Sequence, residues 1–152
     1  MNVQDIISLS IPILYIISIM MYFKTNNVYH LFIVFGLWTT AGISEFIKYY
    51  IIQKNSVRPD GAVNCNIWCN NGNQEGKPGM PSSHAAVTTF FVIIYWNYTK
   101  NPYIRTLLLI YYFLILQSRF YKNCHTVPQL MMGTLLGLGI GTAMLKYKMR
   151  ML

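Results

Sequence analysis

The chain has 152 residues, which is enough for one domain, and 54% of them are hydrophobic while only 11% are charged. Twelve Lys and Arg against 4 Asp and Glu give a formal net charge of +8, but these cations are spread over loop ends rather than gathered in one patch, which argues against nucleic-acid binding. Charged residues are too few to cover the surface of a soluble domain of this size, so the composition indicates a membrane protein.

Five apolar segments are predicted to be membrane-spanning helices, because each is close to the roughly 20 residues that a helix needs to cross a bilayer. In chain order these segments span 6–23, 28–52, 83–98, 102–118 and 126–145. The long connection at 53–82 is rich in Asn, Gly and Pro, and a loop of that length is usually functional or disordered. The expected fold is therefore an all-α, polytopic membrane protein, with one domain over 1–152 and about five helices in one bundle.

The last apolar segment contains Gly133, Gly137 and Gly141, which are spaced four apart and therefore share one helix face. Glycines on one face let a neighbouring helix approach closely, and close packing is what holds helices together in lipid. The neighbour is either another helix of the same chain, which we favour, or the same face of a second copy in a homodimer.

An odd number of spans places the N-terminus, the 53–82 loop and the 118–126 loop on one side of the membrane, here called the front. The opposite side, the back, carries six basic residues and no acidic one: Lys24, Lys100, Arg105, Lys146, Lys148 and Arg150. Positive charges collect on the cytoplasmic side of membrane proteins. We therefore expect a multi-pass protein whose front faces the lumen, the periplasm or the exterior.

Cysteines and acidic residues limit the chemistry expected at the front. Cys65 and Cys69 lie in the 53–82 loop, where a disulfide would persist in a non-cytoplasmic compartment, and they either bond to each other or remain free thiols. Two-metal hydrolytic sites need several converging carboxylates, and Glu45 on the second helix is expected to pair with Lys48 or a neighbour, because an unpaired charge at membrane depth is costly. We therefore expect a site without a metal or another cofactor.

Three polar clusters are expected to converge on the front, from the end of the second helix, the start of the third and the 118–126 loop. Together they contain Lys48, Lys54, Arg58, Ser82, Ser83, His84, Arg119 and His125. Guanidinium groups bind phosphate oxygens bidentately, and a helix start such as that at Ser82 and Ser83 favours an anion. Of two histidines, one can attack phosphorus while the other protonates the leaving oxygen. The combination predicts a phosphate site.

These clusters resemble the three motifs of the lipid phosphate phosphatase superfamily, the integral-membrane type-2 phosphatidate phosphatases. Arg58 and the following proline match the end of the first motif. The PSSH run at 81–84 matches the second, with serine in place of glycine. The Ser-Arg pair at 118–119, separated from His125 by five intervening residues, matches the third. The resemblance implies that His125 is the nucleophile, His84 is the general acid, and the arginines and a lysine bind the phosphate oxygens.

Two positions depart from the superfamily pattern. Ile51 stands where the first-motif lysine is expected, and Lys48 or Lys54, each about one helical turn away, is expected to replace it; we prefer Lys54. Gln129 stands where an aspartate is expected. The runs GMPSSH at 79–84 and HTVPQ at 125–129 look closest to the dolichyl diphosphatase branch.

Four residues after His125 at a helix start, Gln129 can face the imidazole. Its amide oxygen is expected to accept a hydrogen bond from the Nδ1–H group of His125, which leaves Nε2 free for attack.

The resemblance implies a phosphatase acting on a polyprenyl or dolichyl diphosphate held in the membrane. A phosphatase for lipid monophosphates such as phosphatidate is the second interpretation, and a degenerate member that only binds lipid phosphate is the third. The expected partner is the membrane lipid substrate, and no nucleic-acid partner is expected.

Overall fold

A computed structural model describes the backbone of residues 2–151 and the side chains of residues 2–147. These residues form helices and loops, and the only β pairing among them is two isolated bridges in the long loop. The helices are α1 (Val3–Ser8), α2 (Ile11–Thr25), α3 (Tyr29–Phe46), α4 (Ser83–Tyr98), α5 (Pro102–Tyr121) and α6 (Val127–Met151). A π-helical segment (Ile47–Ile52) and a 3₁₀ turn (Gln53–Asn55) continue α3. The expected all-α class is confirmed.

The helices follow the apolar segments, with differences in several of their bounds. The first segment is divided between α1 and α2, and Pro12 lies in the first turn of α2, where a residue without an N–H is tolerated. The helix expected to end at 118 continues to Tyr121. The second front loop is therefore 122–126 rather than 118–126, and Arg119 lies in the last turn of α5.

Within the described part of the chain, three stretches are long and apolar enough to cross a bilayer: Val3–Thr25, Tyr29–Asn55 and Val127–Tyr147. The chain is therefore a membrane protein. Neither α4 nor α5 is among these three, and α4 has 16 residues, fewer than the roughly 20 that span a bilayer. The count of five spans and the assignment of front and back thus stay predictions. The side chains of Lys148 and Arg150, which enter that assignment, lie outside the described residues.

The central helix of the bundle is α4, which contacts α2, α3, α5 and α6. Its side chains are buried along most of its length. The fully buried apolar core includes Ile33, Leu37, Phe90, Ile94 and Ile115. Large apolar side chains of the outer helices, such as Trp38 and Phe113, are exposed, as expected of helices that face lipid. The packing therefore shields α4 and the polar groups at its N-terminus.

The glycines of α6 pack against α4. A Cβ atom at Gly133 would lie 2.4 Å from the carbonyl oxygen of Ser82, and one at Gly137 would lie 2.2 Å from that of Ala86. These contacts agree with the intramolecular alternative, because α4 packs on this face. A homodimer stays a prediction.

A disulfide joins Cys65 of the long loop to Cys124 of the 122–126 loop, with the Cα atoms 5.5 Å apart. The pairing of Cys65 with Cys69 is therefore wrong. Cys69 is a free thiol, and its Sγ lies 3.2 Å from the Nζ of Lys122. The physical reason is that the fold brings the two front loops together, while Cys69 is directed towards the end of α5.

Candidate active site

A cavity of about 300 Å³ lies at the front, between the helices and the two front loops. Its polar lining includes Lys48, Arg58, Ser83, His84 and His125. Its apolar lining includes Ile11, Tyr15, Ala41 and Val87, which belong to α2, α3 and α4. The cavity therefore combines cations and histidines with a wall formed by membrane helices.

The lysine of the site is Lys48. Its side chain is 3% exposed, and its Nζ donates to Glu45 Oε1 at 2.5 Å and to Ser83 Oγ at 2.8 Å. The lysine is the second residue of the π-helical segment, and π turns within α-helices frequently occur at functional sites. Lys54 lies in the 3₁₀ turn, is exposed and does not line the cavity. The lining of the cavity therefore favours Lys48 over Lys54, the residue preferred from the sequence, as the lysine that replaces the one expected at position 51. The expected pairing of Glu45 with Lys48 is confirmed.

The two arginines are held by backbone carbonyl groups of the disulfide-bonded cysteines. Arg58 lines the cavity, and its Nη1 donates to the carbonyl oxygen of Cys124 at 3.3 Å. Arg119 is fully buried, and its Nη2 and Nη1 donate to the Cys65 carbonyl at 2.5 Å and to Ser8 Oγ at 3.0 Å. Arg119 does not itself line the cavity.

Three buried nitrogen atoms of the site have no hydrogen-bond partner among the described residues. They are the Nε atoms of Arg58 and Arg119 and the Nε2 atom of His84. Leaving a buried donor unpaired costs about 1–3 kcal/mol. An arrangement of this kind is suited to an anionic ligand that brings acceptor oxygens.

Gln129 orients the imidazole of His125. The amide Nε2 of Gln129 donates to Ser56 Oγ at 3.0 Å and to the Val57 carbonyl at 2.7 Å, which turns Oε1 towards His125 Nδ1, 3.3 Å away. Oε1 also accepts from the Thr126 N–H at 3.2 Å. Because an amide oxygen can only accept, Nδ1 carries the proton and Nε2 of His125 has its lone pair available.

Burial lowers the pKa of His125 well below its ordinary range, and the positive charges of Arg119, Arg58 and Lys48 act in the same direction. The hydrogen bond with Gln129 opposes this shift. Burial also lowers the pKa of Arg58 from its ordinary value, but a guanidinium group stays protonated in proteins. At neutral pH the site therefore pairs an uncharged histidine with charged arginines.

The two serines at the start of α4 have different positions. Ser82 caps the helix, since its side chain accepts from the Ala85 N–H at 3.4 Å, and it does not line the cavity. Ser83 lines the cavity, but its hydroxyl group is already engaged: it accepts from Ser44 Oγ at 2.9 Å and from Lys48, and it donates to Glu45. Ser83 therefore positions the charged pair on α3.

Gly79 is a site residue that the sequence reasoning did not single out. A Cβ atom at this position would lie 2.7–2.9 Å from the side-chain amide of Gln129. No side chain fits there unless Gln129 moves. The signal available in the sequence was the glycine of the GMPSSH run, and its meaning depends on a contact 50 residues along the chain.

Among the residues whose side chains are described, no group of three or more His, Cys, Asp or Glu could hold a metal ion. Metal independence itself stays a prediction.

Comparison with known proteins places the chain in a family. The family model described as the PAP2 superfamily matches residues 29–151, which include every residue assigned to the cavity except those of α2. No curated protein and no solved structure gives a significant match. Since the matched region covers most of the chain, and since members of this superfamily are phosphatases, this membrane protein belongs to the PAP2 superfamily.

Proposed function

We propose that this protein hydrolyses a lipid-linked diphosphate of the polyprenyl or dolichyl class through a phosphohistidine at His125. The observation that carries the proposal is the set of unpartnered buried nitrogens on Arg58, Arg119 and His84. Together with Lys48 they offer donors and three positive charges within one buried region. Arg58 and His84 line the cavity, where a phosphate group would supply acceptors to them. The high charge of a diphosphate suits three cations, and the GMPSSH and HTVPQ runs favour the same substrate class.

The reaction proceeds in two steps. The Nε2 lone pair of His125 attacks the terminal phosphorus, and the bond from phosphorus to the bridging oxygen breaks. His84 gives its proton to that oxygen, so the lipid monophosphate leaves. A water molecule, deprotonated by His84, then attacks the phosphohistidine and releases inorganic phosphate, which restores both histidines.

The lysine and arginines stabilise the charge that develops on the phosphoryl oxygens in both steps. Donors already positioned around the transferred group need little reorganisation when the charge appears. Gln129 keeps the proton of His125 on Nδ1, which leaves Nε2 as the attacking atom.

The apolar wall of the cavity supports the proposal that the substrate is a lipid. Ile11, Tyr15, Ala41 and Val87 line it beside the cationic groups, and α2 and α3 belong to stretches that can cross a bilayer. A head group bound at the cations therefore places the first carbons of its tail against helices that face lipid.

We also propose that the cavity faces a non-cytoplasmic compartment. The basic residues of the back favour this orientation. The Cys65–Cys124 disulfide is a second and independent support, because disulfides persist in oxidising compartments and are rare in the cytosol.

Phosphate release by the purified protein from polyprenyl diphosphate, polyprenyl monophosphate and phosphatidate, each with and without EDTA, tests the proposal. We expect the highest kcat/KM for the diphosphate and full activity in EDTA. A higher kcat/KM for phosphatidate would favour the monophosphate phosphatase. Loss of activity in EDTA with recovery on adding magnesium would overturn the metal-independent mechanism.

The intermediate is tested by rapid quenching with substrate labelled in its terminal phosphate. We expect label that is stable in alkali, is released in acid and maps to the peptide containing His125. The variant His125→Asn should retain no label. Turnover by the wild type without any trapped label at His125, under conditions where the first step is faster than the second, would remove the phosphohistidine.

A further inference from the structure

We infer that the Cys65–Cys124 disulfide is a positioning element of the phosphate site, an inference that rests on the proposed function. The two cysteines connect the front loops across 59 residues of sequence. Each contributes its carbonyl oxygen to a different arginine: Cys124 to Arg58 and Cys65 to Arg119. One covalent bond therefore sets the spacing between the acceptors that hold both guanidinium groups.

The surroundings of the bond support this role. Cys65 and Cys124 are 2% and 0% exposed and pack with Ala62 in a small buried cluster separate from the helix core. Cys65 lines the cavity, and Cys124 directly precedes His125. The bond thus lies between the cavity wall and the nucleophile, not at the periphery of the loops.

The noncovalent contacts alone hold the same groups less firmly. The Arg58 contact is a single hydrogen bond of 3.3 Å to the Cys124 carbonyl. The side chain of Lys122 also joins the two loops, since its Nζ donates to the Asn64 carbonyl at 3.0 Å and lies 3.2 Å from Cys69 Sγ.

If the disulfide opens, the spacing of Cys65 and Cys124 depends on such noncovalent contacts. The carbonyl groups that hold Arg58 and Arg119 can then shift relative to each other. A displacement of about 1 Å in such a site can cost on the order of a hundredfold in rate.

His125 depends on different contacts. Its Nδ1 is held by Gln129, which is fixed by Ser56 and Val57, and none of these contacts passes through the disulfide. Opening the bond should therefore weaken phosphate binding while leaving the tautomer of His125 unchanged. An effect on phosphate binding without an effect on the His125 tautomer therefore distinguishes displaced arginines from a protein that is less ordered as a whole.

The experiment compares the oxidised wild type with the same protein after reduction by TCEP, using inorganic vanadate as the phosphate probe. We expect reduction to raise KM and the vanadate inhibition constant by about tenfold or more, to leave the acid limb of the kcat/KM profile in place, and to be reversed by reoxidation. The double variant Cys65→Ser with Cys124→Ser should behave like the reduced protein and should not respond to TCEP. Cys69→Ser is the matched control, because Cys69 is a free thiol of the same loop, and it should behave like the wild type.

Each other outcome is decisive. Unchanged KM and vanadate inhibition after complete reduction would overturn the inference and leave the proposed function intact. Loss of helical circular dichroism on reduction would also overturn it, because the bond would then hold the fold rather than the site. Oxidised wild type that neither releases phosphate nor binds vanadate would remove the proposed function, and this inference with it.

Discussion

The two ends of α3 and α4 both bury a histidine, but in opposite electrostatic settings. At the back end, His30 of α3 contacts Tyr95 and Tyr98 of α4: its Nδ1 lies 3.4 Å from the Tyr95 hydroxyl, and its ring centroid lies 5.1 Å from that of Tyr98. The Tyr95 hydroxyl also donates to Ser18. This cluster joins the histidine to tyrosine rings and to tyrosine and serine hydroxyl groups.

At the front end, the same two helices place His84 beside Lys48, with Arg58, Arg119 and His125 contributed by the loops and by α5. Lys48, Arg58 and Arg119 carry three positive charges there, and the carboxylate of Glu45 is bound to Lys48. Burying unbalanced charge costs free energy. The contrast favours a packing role for the back cluster and, as proposed above, an anion-binding role for the front.

Replacing the two histidines gives the largest expected effect. His125→Ala should lower kcat on the order of a thousandfold or more, because it removes the nucleophile. His30→Phe should keep kcat within a few-fold, since it alters only the back cluster. Phosphate release from the diphosphate measures both. If His30→Phe is as inactive as His125→Ala while its circular dichroism stays native, the comparison between the two ends fails.

The two lysines provide the next contrast. Lys48→Met should lower kcat/KM by about a hundredfold, the usual cost of losing one charged donor to a transition state. Lys54→Met, the matched control, should remain near wild type because Lys54 lies outside the cavity. Equal losses in the two variants, or a loss confined to Lys54→Met, would contradict the placement of Lys48.

Gly79→Ala tests the space reserved for Gln129. The added methyl group must displace the amide that holds His125, so kcat should fall by about tenfold, as for a residue that orients an acid–base partner. Gly139→Ala is the matched control, because a Cβ there meets nothing within 4 Å. Near-normal kcat in Gly79→Ala would show that Gln129 does not need its observed position.

The smallest effect concerns pH. The wild type should retain activity to pH values below the ordinary pKa of histidine, because burial and neighbouring cations lower the pKa of His125 and keep it neutral. Gln129→Glu places a carboxylate next to Nδ1, which stabilises the imidazolium and raises that pKa. The acid limb of kcat/KM should then move to higher pH.

Gln53→Glu, on the exposed 3₁₀ turn of the front, adds the same charge away from His125 and should leave the limb unchanged. A limb that does not move in Gln129→Glu would show that the titrating group is not His125.

Apolar segments and short motifs in the sequence predicted much of the architecture. The apolar segments predicted the helices, α4 begins and ends where its segment does, and the Arg58, His84 and His125 motifs predicted residues that share one cavity. These inferences depend on periodicity, on length and on spacing within a segment, all of which are local properties of a chain. The pairing of Glu45 with Lys48 also followed from spacing, since the two residues are three apart on one helix.

Other features were decided by tertiary structure alone. Lys48, which belongs to the π-helical turn at 47–52, lines the cavity, while Lys54 lies outside it. The partner of Cys65 depends on two loops that meet in space, and the role of Gly79 depends on the position of Gln129. In each case the deciding contact joins residues far apart in sequence or depends on a local departure from α-helical geometry, and neither leaves a periodic signal in the chain.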